Sequence, residues 1–323
     1  MFRNILVPLD GSAAAESAVA PAAALAQAHG AQLHLVLVTE LTRTDATFDD
    51  LLDTEHQSYR DDRMEEMAKR LYVDLGIAVR VSRLVGMGAV AVALADYADD
   101  SAVDLIVMTT HGRTGVRRAW LGSVADEVMH LVTTPLLLLR REEKGAAPAS
   151  RSLDRILVTL DGSESAEAAL AAARALSYQQ NGTLILARVV SPVPLELAQA
   201  PGVVLPDAEA TQVAVDEATR YLDALAAKRQ TESGENVETV VELEPIGFPM
   251  PPTAATIADL AHRKRADLVA LTTHERGFSR MLLGSVADRI LRDTNCALLI
   301  CHGTGTHVPL TVGEKDQVAA VAS

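Results

Sequence analysis

Short unbroken apolar runs alternate with longer stretches of helical spacing along most of this chain. Residues 4–9 form the first run, and an alanine-rich segment over 13–29 follows it, with Gly30 placed to stop a helix. Runs 33–38, 79–84, 103–108 and 136–139 read as further strands, with helices over 64–75, 89–97 and 123–131 between them. Residues 40–60 are polar and charged. The plan then returns as strands 156–160, 184–190, 237–243, 266–271 and 297–300, with helices over 166–176, 213–228 and 256–262. Strands that are apolar on both faces must be covered on both, which is the habit of parallel sheets joined by helices. The expected fold class is α/β: two tandem open, mostly parallel five-stranded sheets with helices on both faces, in the Rossmann-like manner.

The repetition extends to individual residues. Leu121-Gly-Ser-Val-Ala-Asp126 returns letter for letter as Leu283-Gly-Ser-Val-Ala-Asp288, and Thr109-Thr110-His111 returns as Thr272-Thr273-His274. Near the start, Ile5-Leu6-Val7-Pro8-Leu9-Asp10-Gly11-Ser12 is matched by Ile156-Leu157-Val158-Thr159-Leu160-Asp161-Gly162-Ser163. Matching blocks in the same order mean a duplicated domain. The expected division is residues 1–142, a linker at 143–151 rich in Gly, Ala, Pro and Ser, residues 152–303, and a polar tail at 304–323.

The chemistry concentrates at Thr109-Thr110-His111-Gly112 and Gly122-Ser123. A strand, a glycine-bearing loop and a helix start together suit phosphate, because the first helical amides have no intrahelical acceptor and the dipole is positive there. Glycine lets an anion approach the backbone where a β-carbon would stand. Asp10 and Thr109 both lie at strand carboxyl ends, where open α/β sheets bind ligands. Ser123 with Asp126, like Ser285 with Asp288, also fits a Ser-x-x-Asp cap, which serves a helix start with or without phosphate. Arg113, Arg117 and Arg118 read equally as a phosphate clamp or a solvated loop. His111 and His274 lack a visible nucleophile or substrate and read as structural. Trp120 reads as a packing residue.

Composition narrows the classes. The chain has 323 residues, enough for two cores, and with aromatics at 3% those cores must be aliphatic. A formal charge of −14 opposes a nucleic-acid partner. The apolar stretch 131–139 contains Pro135 and is too short to span a bilayer, and residues 1–4 run directly into a strand, so a cytoplasmic protein is expected. Cys296 and Cys301 flank a strand; about 16 Å apart, on opposite faces, they read as buried small hydrophobes rather than a disulfide or zinc site.

These residues resemble the universal stress protein family in its tandem two-domain form, across about 1–142 and 152–302. The resemblance implies a five-stranded α/β sheet of the HUP type and, in the nucleotide-binding branch, a Gly-x2-Gly-x9-Gly-Ser/Thr loop. Here the second glycine is Gly112, the closing pair is Gly122-Ser123, and Thr109 stands at the first glycine position, a departure. What the resemblance implies is ATP, with magnesium, held by Pro8, Leu9, Asp10, Val38, Met108, Thr109, Gly112, Arg113, Gly122, Ser123 and Val124. Asp10 would lie near the adenosine, the Val38 backbone would meet the adenine edge, and Ser123 with Val124 would face the phosphates. In the second half Asp161, Val189, Gly284 and Ser285 take the corresponding places. There Glu275 replaces the glycine and the spacer is one residue shorter, so a weaker or merely structural site is expected.

Two functions remain in view. One is a nucleotide-binding regulatory or stress protein with an unidentified protein partner; the alternative is a slow ATPase or adenylyl transferase on the same fold. The segment Asp10-Gly11-Ser12-Ala13 holds no His-x-Gly-His motif, and no Gly-x4-Gly-Lys-Ser/Thr loop is present. No catalytic residue and no metal ligand is assigned. The apolar fifth strands, 136–139 and 297–300, are sheet edges in need of cover. The resemblance implies that they pair as a pseudo-dimer within one chain; a homodimer of two chains is left open.

Overall fold

The apolar runs become strands, and all ten lie in one sheet rather than two. The computed structural model describes residues 2–40, 54–86, 90–110, 123–140, 153–163, 166–177, 182–195, 205–245, 252–273 and 285–302. The first half contains β1 (Asn4–Leu9), α1 (Ala13–Glu16), α2 (Val19–His29), β2 (Gln32–Glu40), α3 (Thr54–Leu75), β3 (Val79–Gly86), α4 (Val90–Asp100), β4 (Leu105–Thr110), α5 (Ser123–Leu131) and β5 (Leu136–Arg140). The second half begins with β6 (Arg155–Thr159), α6 (Glu167–Ser177), β7 (Thr183–Val190), β8 (Pro194–Leu195) and β9 (Leu205–Pro206). It continues with α7 (Ala208–Ser233), β10 (Asn236–Leu243), α8 (Pro252–Arg263), β11 (Leu268–Thr273), α9 (Ser285–Asp293) and β12 (Ala297–His302).

The sheet order is β10-β7-β6-β11-β12-β5-β4-β1-β2-β3. Every neighbouring pair is parallel except β5 with β12, which run antiparallel through Leu136↔Ile300, Leu137↔Leu299 and Leu138↔Leu298. The two expected sheets are therefore joined at their fifth strands, which removes two apolar edges at once. The last residue of each fifth strand crosses the seam. Arg140 Nη1 donates to the Thr294 carbonyl just past α9, and His302 Nε2 donates to the Met129 carbonyl in α5 over 2.8 Å. Each half thus satisfies a carbonyl near the C-terminus of the other half's last helix.

Alternation along the strands sends side chains into two aliphatic cores. Ile5, Val7 and Leu9 belong to the core that runs under α2, α3, α6 and α7 on one face, and Leu6, Ile106 and Leu138 to the core under α4, α5, α8 and α9 on the other. Cys301 belongs to the first core and Cys296 to the second, both free and buried, and burial pushes the Cys301 thiol up to about 12. Connections change face between β1 and β4, so a crevice opens at their carboxyl ends. At the opposite end, the Asp104 carboxylate accepts the Arg3 and Asn4 amides at 2.7 and 3.2 Å, and Asp267 accepts the Arg155 amide at 2.9 Å.

Several boundaries depart from expectation for identifiable reasons. The helix over 13–29 is broken after Glu16, because Pro21 would clash with the Ser17 carbonyl in a continuous helix. Helix α3 starts ten residues earlier than its apolar periodicity indicates, and α7 extends to both of its caps: the Asp207 carboxylate accepts the Ala210 amide at 3.0 Å, and Gly234 adopts φ 65°. Residues 194–195 and 205–206 form the two-residue ladder β8–β9, a pairing that the four prolines between 191 and 207 disguise. Thr109 and Thr110 are the last residues of β4 rather than loop, since they pair with Leu139 and Arg140.

Ala102 and Arg265 sit just after α4 and α8 at φ 48° and 51°, the left-handed region. Such conformations cost an L-residue on the order of 1–2 kcal/mol, and glycine there gives back part of that through its looser unfolded chain. Ala102→Gly is expected to raise stability by about 0.5–1 kcal/mol, read as a higher urea midpoint with unchanged slope.

Candidate functional site

The turn after β1 organises the crevice. Asp10 Oδ1 accepts the Ser12 amide at 2.8 Å, Gly11 takes φ 81°, and the Ser12 hydroxyl oxygen accepts the Ala15 amide at 3.1 Å. An Asx turn thus feeds directly into a capped helix, α1. The second half repeats it: Asp161 Oδ1 accepts the Ser163 amide at 2.9 Å, Gly162 takes φ 87°, and Ser163 Oγ accepts the Ala166 amide at 3.2 Å.

Thr109, the departure from the glycine pattern, has a definite use. Its hydroxyl donates to the Ala14 carbonyl over 2.7 Å, fastening β4 to the short helix α1 across the crevice. Thr272 makes the corresponding bond to the Ala166 carbonyl at 3.4 Å. The side chain at this position therefore points to α1.

The remaining described candidates divide between the two faces. Val38, Met108 and Val124 pack against the core shared with α4 and α5, while Leu9 belongs to the opposite core. Pro8 lies between Val7 and Leu9 and so faces the α5 side. Ser123 is exposed and is the first residue of α5, whose opening amides lie beyond the carboxyl end of β4. Gly112, Arg113 and Gly122 lie outside the described residues, as do His111, Arg117, Arg118 and Trp120. In the second half Val189 packs on the α8 side and Ser285 begins α9, while His274, Glu275 and Gly284 fall outside the described residues.

Beside the Asp10 turn, at the carboxyl ends of β1 and β2, is a cavity of about 220 Å³. Leu9, Leu37, Met64 and Met67 give it apolar walls, Gly11 and Ala13 one rim, and Glu16 and Arg63 the other. Arg63 grips Glu16 in a fork, Nε to Oε1 at 2.7 Å and Nη2 to Oε2 at 2.6 Å. None of the α3 residues was singled out from the sequence. The spacing of Met64, Met67 and Leu71 marks the buried side of that helix, but only its packing over the sheet makes a wall of it.

Among the described residues, no group of three or more His, Cys, Asp or Glu side chains is placed to hold a metal, and no helix is long and apolar enough to cross a membrane. Comparison with known proteins places these features in context. The model of the Universal stress protein family matches residues 1–140 and again 152–302. A universal stress protein of Thermus aquaticus is 35% identical over 143 residues, covering 43% of this chain and 100% of the relative. One from Methanocaldococcus jannaschii is 26% identical over 152 residues, covering 45% of this chain and 85% of the relative. The crystal structure of a universal stress protein from Archaeoglobus fulgidus superposes with a TM-score of 0.65 at 19% identity, covering 93% of this chain and 96% of that one.

Proposed function

The chain belongs to the universal stress protein family, matched in both halves, and on that premise we propose that it is an ATP-binding regulator of the stress response, acting in the cytoplasm, whose first half holds the nucleotide. One juxtaposition carries the reading. The start of α5, the Asp10 turn and the apolar cavity at β1 and β2 all gather at the carboxyl end of the sheet where its connections reverse. Polar amides beside an apolar slot suit a ligand with an anionic tail and a flat, uncharged ring.

In this reading the amides of Ser123 and Val124, with the loop residues Gly112, Arg113 and Gly122, take the phosphates. Leu9 and the cavity walls Leu37, Met64 and Met67 meet the base, Pro8, Val38 and Met108 close on the adenosine from the other face of the strand ends, Asp10 and Thr109 shape the crevice, and magnesium enters with the phosphates. Nucleotide occupancy would act by stabilising one conformation for a protein partner, through differential affinity rather than turnover. The nucleotide would supply only binding energy, and no residue here is given a catalytic role.

Calorimetric titration of the full chain with ATP and magnesium tests this, with one equivalent per chain and a ligand-dependent rise in melting temperature expected. Gly112→Glu installs the residue found at the matching place in the second half. It is expected to weaken binding on the order of tenfold, since a carboxylate opposes phosphate. Absence of heat and of thermal shift in the unaltered chain, or two equal tight sites, defeats the reading.

A further inference from the structure

The duplication provides an internal comparison for the cavity beside Asp10. Asn4 pairs with Gln32 where Arg155 pairs with Thr183, so Glu16 corresponds to Glu167 and Leu37 to Arg188. Val79 lies opposite Leu33 and Val237 opposite Leu184, and Gly76 and Gly234 follow α3 and α7 at matching distances. Arg63 therefore corresponds to Tyr221. The neighbouring pairs agree, since Met64 and Leu222 are both buried and Met67 and Leu225 both pack on the same core.

The two halves use these positions in opposite ways. In the first, Leu37 is short and Arg63 is held on Glu16, leaving the cavity of about 220 Å³. In the second, the Arg188 guanidinium reaches over the Tyr221 ring, 5.8 Å from its centroid. Its Nη1 lies so near the Gly162 turn that a β-carbon on residue 162 would stand 2.8 Å from it. The Tyr221 hydroxyl donates to Glu167 Oε1 at 3.4 Å.

We infer that Arg188 and Tyr221 form a built-in plug that keeps the base of a nucleotide out of the second half, so that the chain takes one nucleotide and not two. The inference rests on the proposed nucleotide function and extends it to the second half. A guanidinium held over a ring occupies the space that a flat base would need. Burial, reinforced by Glu167, raises the Tyr221 phenol to about 12, so it remains a neutral hydrogen-bond donor at physiological pH. Expelling the pair would expose Tyr221 and separate the two groups, a cost that a neutral base has no charge to offset. This obstruction is independent of Glu275, which bears on phosphate rather than on the base.

The test exchanges the pairs. Leu37→Arg with Arg63→Tyr gives the first half the plug, in a setting where the second half shows that the same pair is accommodated. Arg188→Leu with Tyr221→Arg opens the second half. With ATP and magnesium, the plugged chain is expected to lose affinity on the order of tenfold or more. With adenosine, which has no phosphates for Glu275 to repel, the opened chain is expected to bind two equivalents where the unaltered chain binds one. Unchanged ATP affinity in a folded plugged chain overturns the inference, as does a single equivalent in the opened chain. If the plugged chain does not fold, the adenosine stoichiometry alone decides. Failure of the unaltered chain to bind ATP overturns the nucleotide reading, and the plug with it.

Discussion

Aspartate in place of Leu137 is expected to cost this protein about 3–5 kcal/mol of stability, the scale of an uncompensated charge in a packed core. Leu137 is fully buried and stands directly opposite Leu299, its counterpart in the duplicated half, where β5 meets β12. An approximate two-fold axis passes between these residues, so a single change disturbs the cover of both fifth strands. Arg140 and His302 flank the same seam, each satisfying a carbonyl at the far side. Urea unfolding followed by circular dichroism is expected to show a lower midpoint and a broadened transition, as the halves lose their common sheet. Tyr72→Asp is the control, because Tyr72 is 66% exposed and its replacement is expected to stay within about 0.5 kcal/mol. A Leu137→Asp chain within about 1 kcal/mol of the unaltered protein would show that the seam does not hold the halves together.

The seam was legible as a need before it was visible as a contact. Leu136 to Leu139 and Ala297 to Ile300 carry no charge to protect an edge, so something had to cover them. Strands were legible throughout for a related reason, since runs such as Ile5-Leu6-Val7 are apolar on both faces and only a covered parallel sheet buries both. Helix limits were less so, because α3 begins in a polar segment whose residues favour helix without marking a buried face. The break at Ser17 follows from Pro21 four residues on, a local steric rule that the alanine-rich composition concealed.

At the site, Asp10, Gly11 and Ser12 were legible as a turn because all three act on their own neighbours. The role of Thr109 was not, since its partner is the carbonyl of Ala14. The cavity walls were the least accessible: Leu37, Met64 and Arg63 become neighbours only when α3 packs over the sheet. The replacement of Leu37 by Arg188 gains meaning only after strand registers align the two halves.

The duplicated halves differ again in a buried polar group, and here the expected effect depends on pH. His34, 1% exposed, has Nδ1 3.0 Å from the Tyr97 hydroxyl, which in turn lies 3.0 Å from Ser82 Oγ. His34 Nε2 is buried without a hydrogen-bond partner among the described residues. By register and helix order, the second half places Ile185, Val240 and Leu260 at these positions. Burial, and then the Arg80 charge, lower the His34 pKa, with Asp104 opposing weakly. A folded pKa below the unfolded value of 6.5 means that the unfolded chain binds the proton more readily. The contribution of His34 is therefore intact above 6.5 and declines as pH falls from 6.5 through the lowered folded pKa, with a limiting slope of about 1.4 kcal/mol per pH unit. His29, lowered mainly by its own burial, adds in the same direction. Transplanting the apolar set as His34→Ile, Ser82→Val and Tyr97→Leu removes the unmet nitrogen and is expected to gain about 1–3 kcal/mol at pH 7. The gain is expected to widen below pH 6.5, because only the unaltered chain still carries His34 there. Urea midpoints measured from pH 8 to pH 5 check both parts. A gain that stays constant across that range would mean that His34 titrates alike in the folded and unfolded chains, and a loss of stability at pH 7 would mean that the His34–Tyr97–Ser82 chain contributes more than its unmet nitrogen costs.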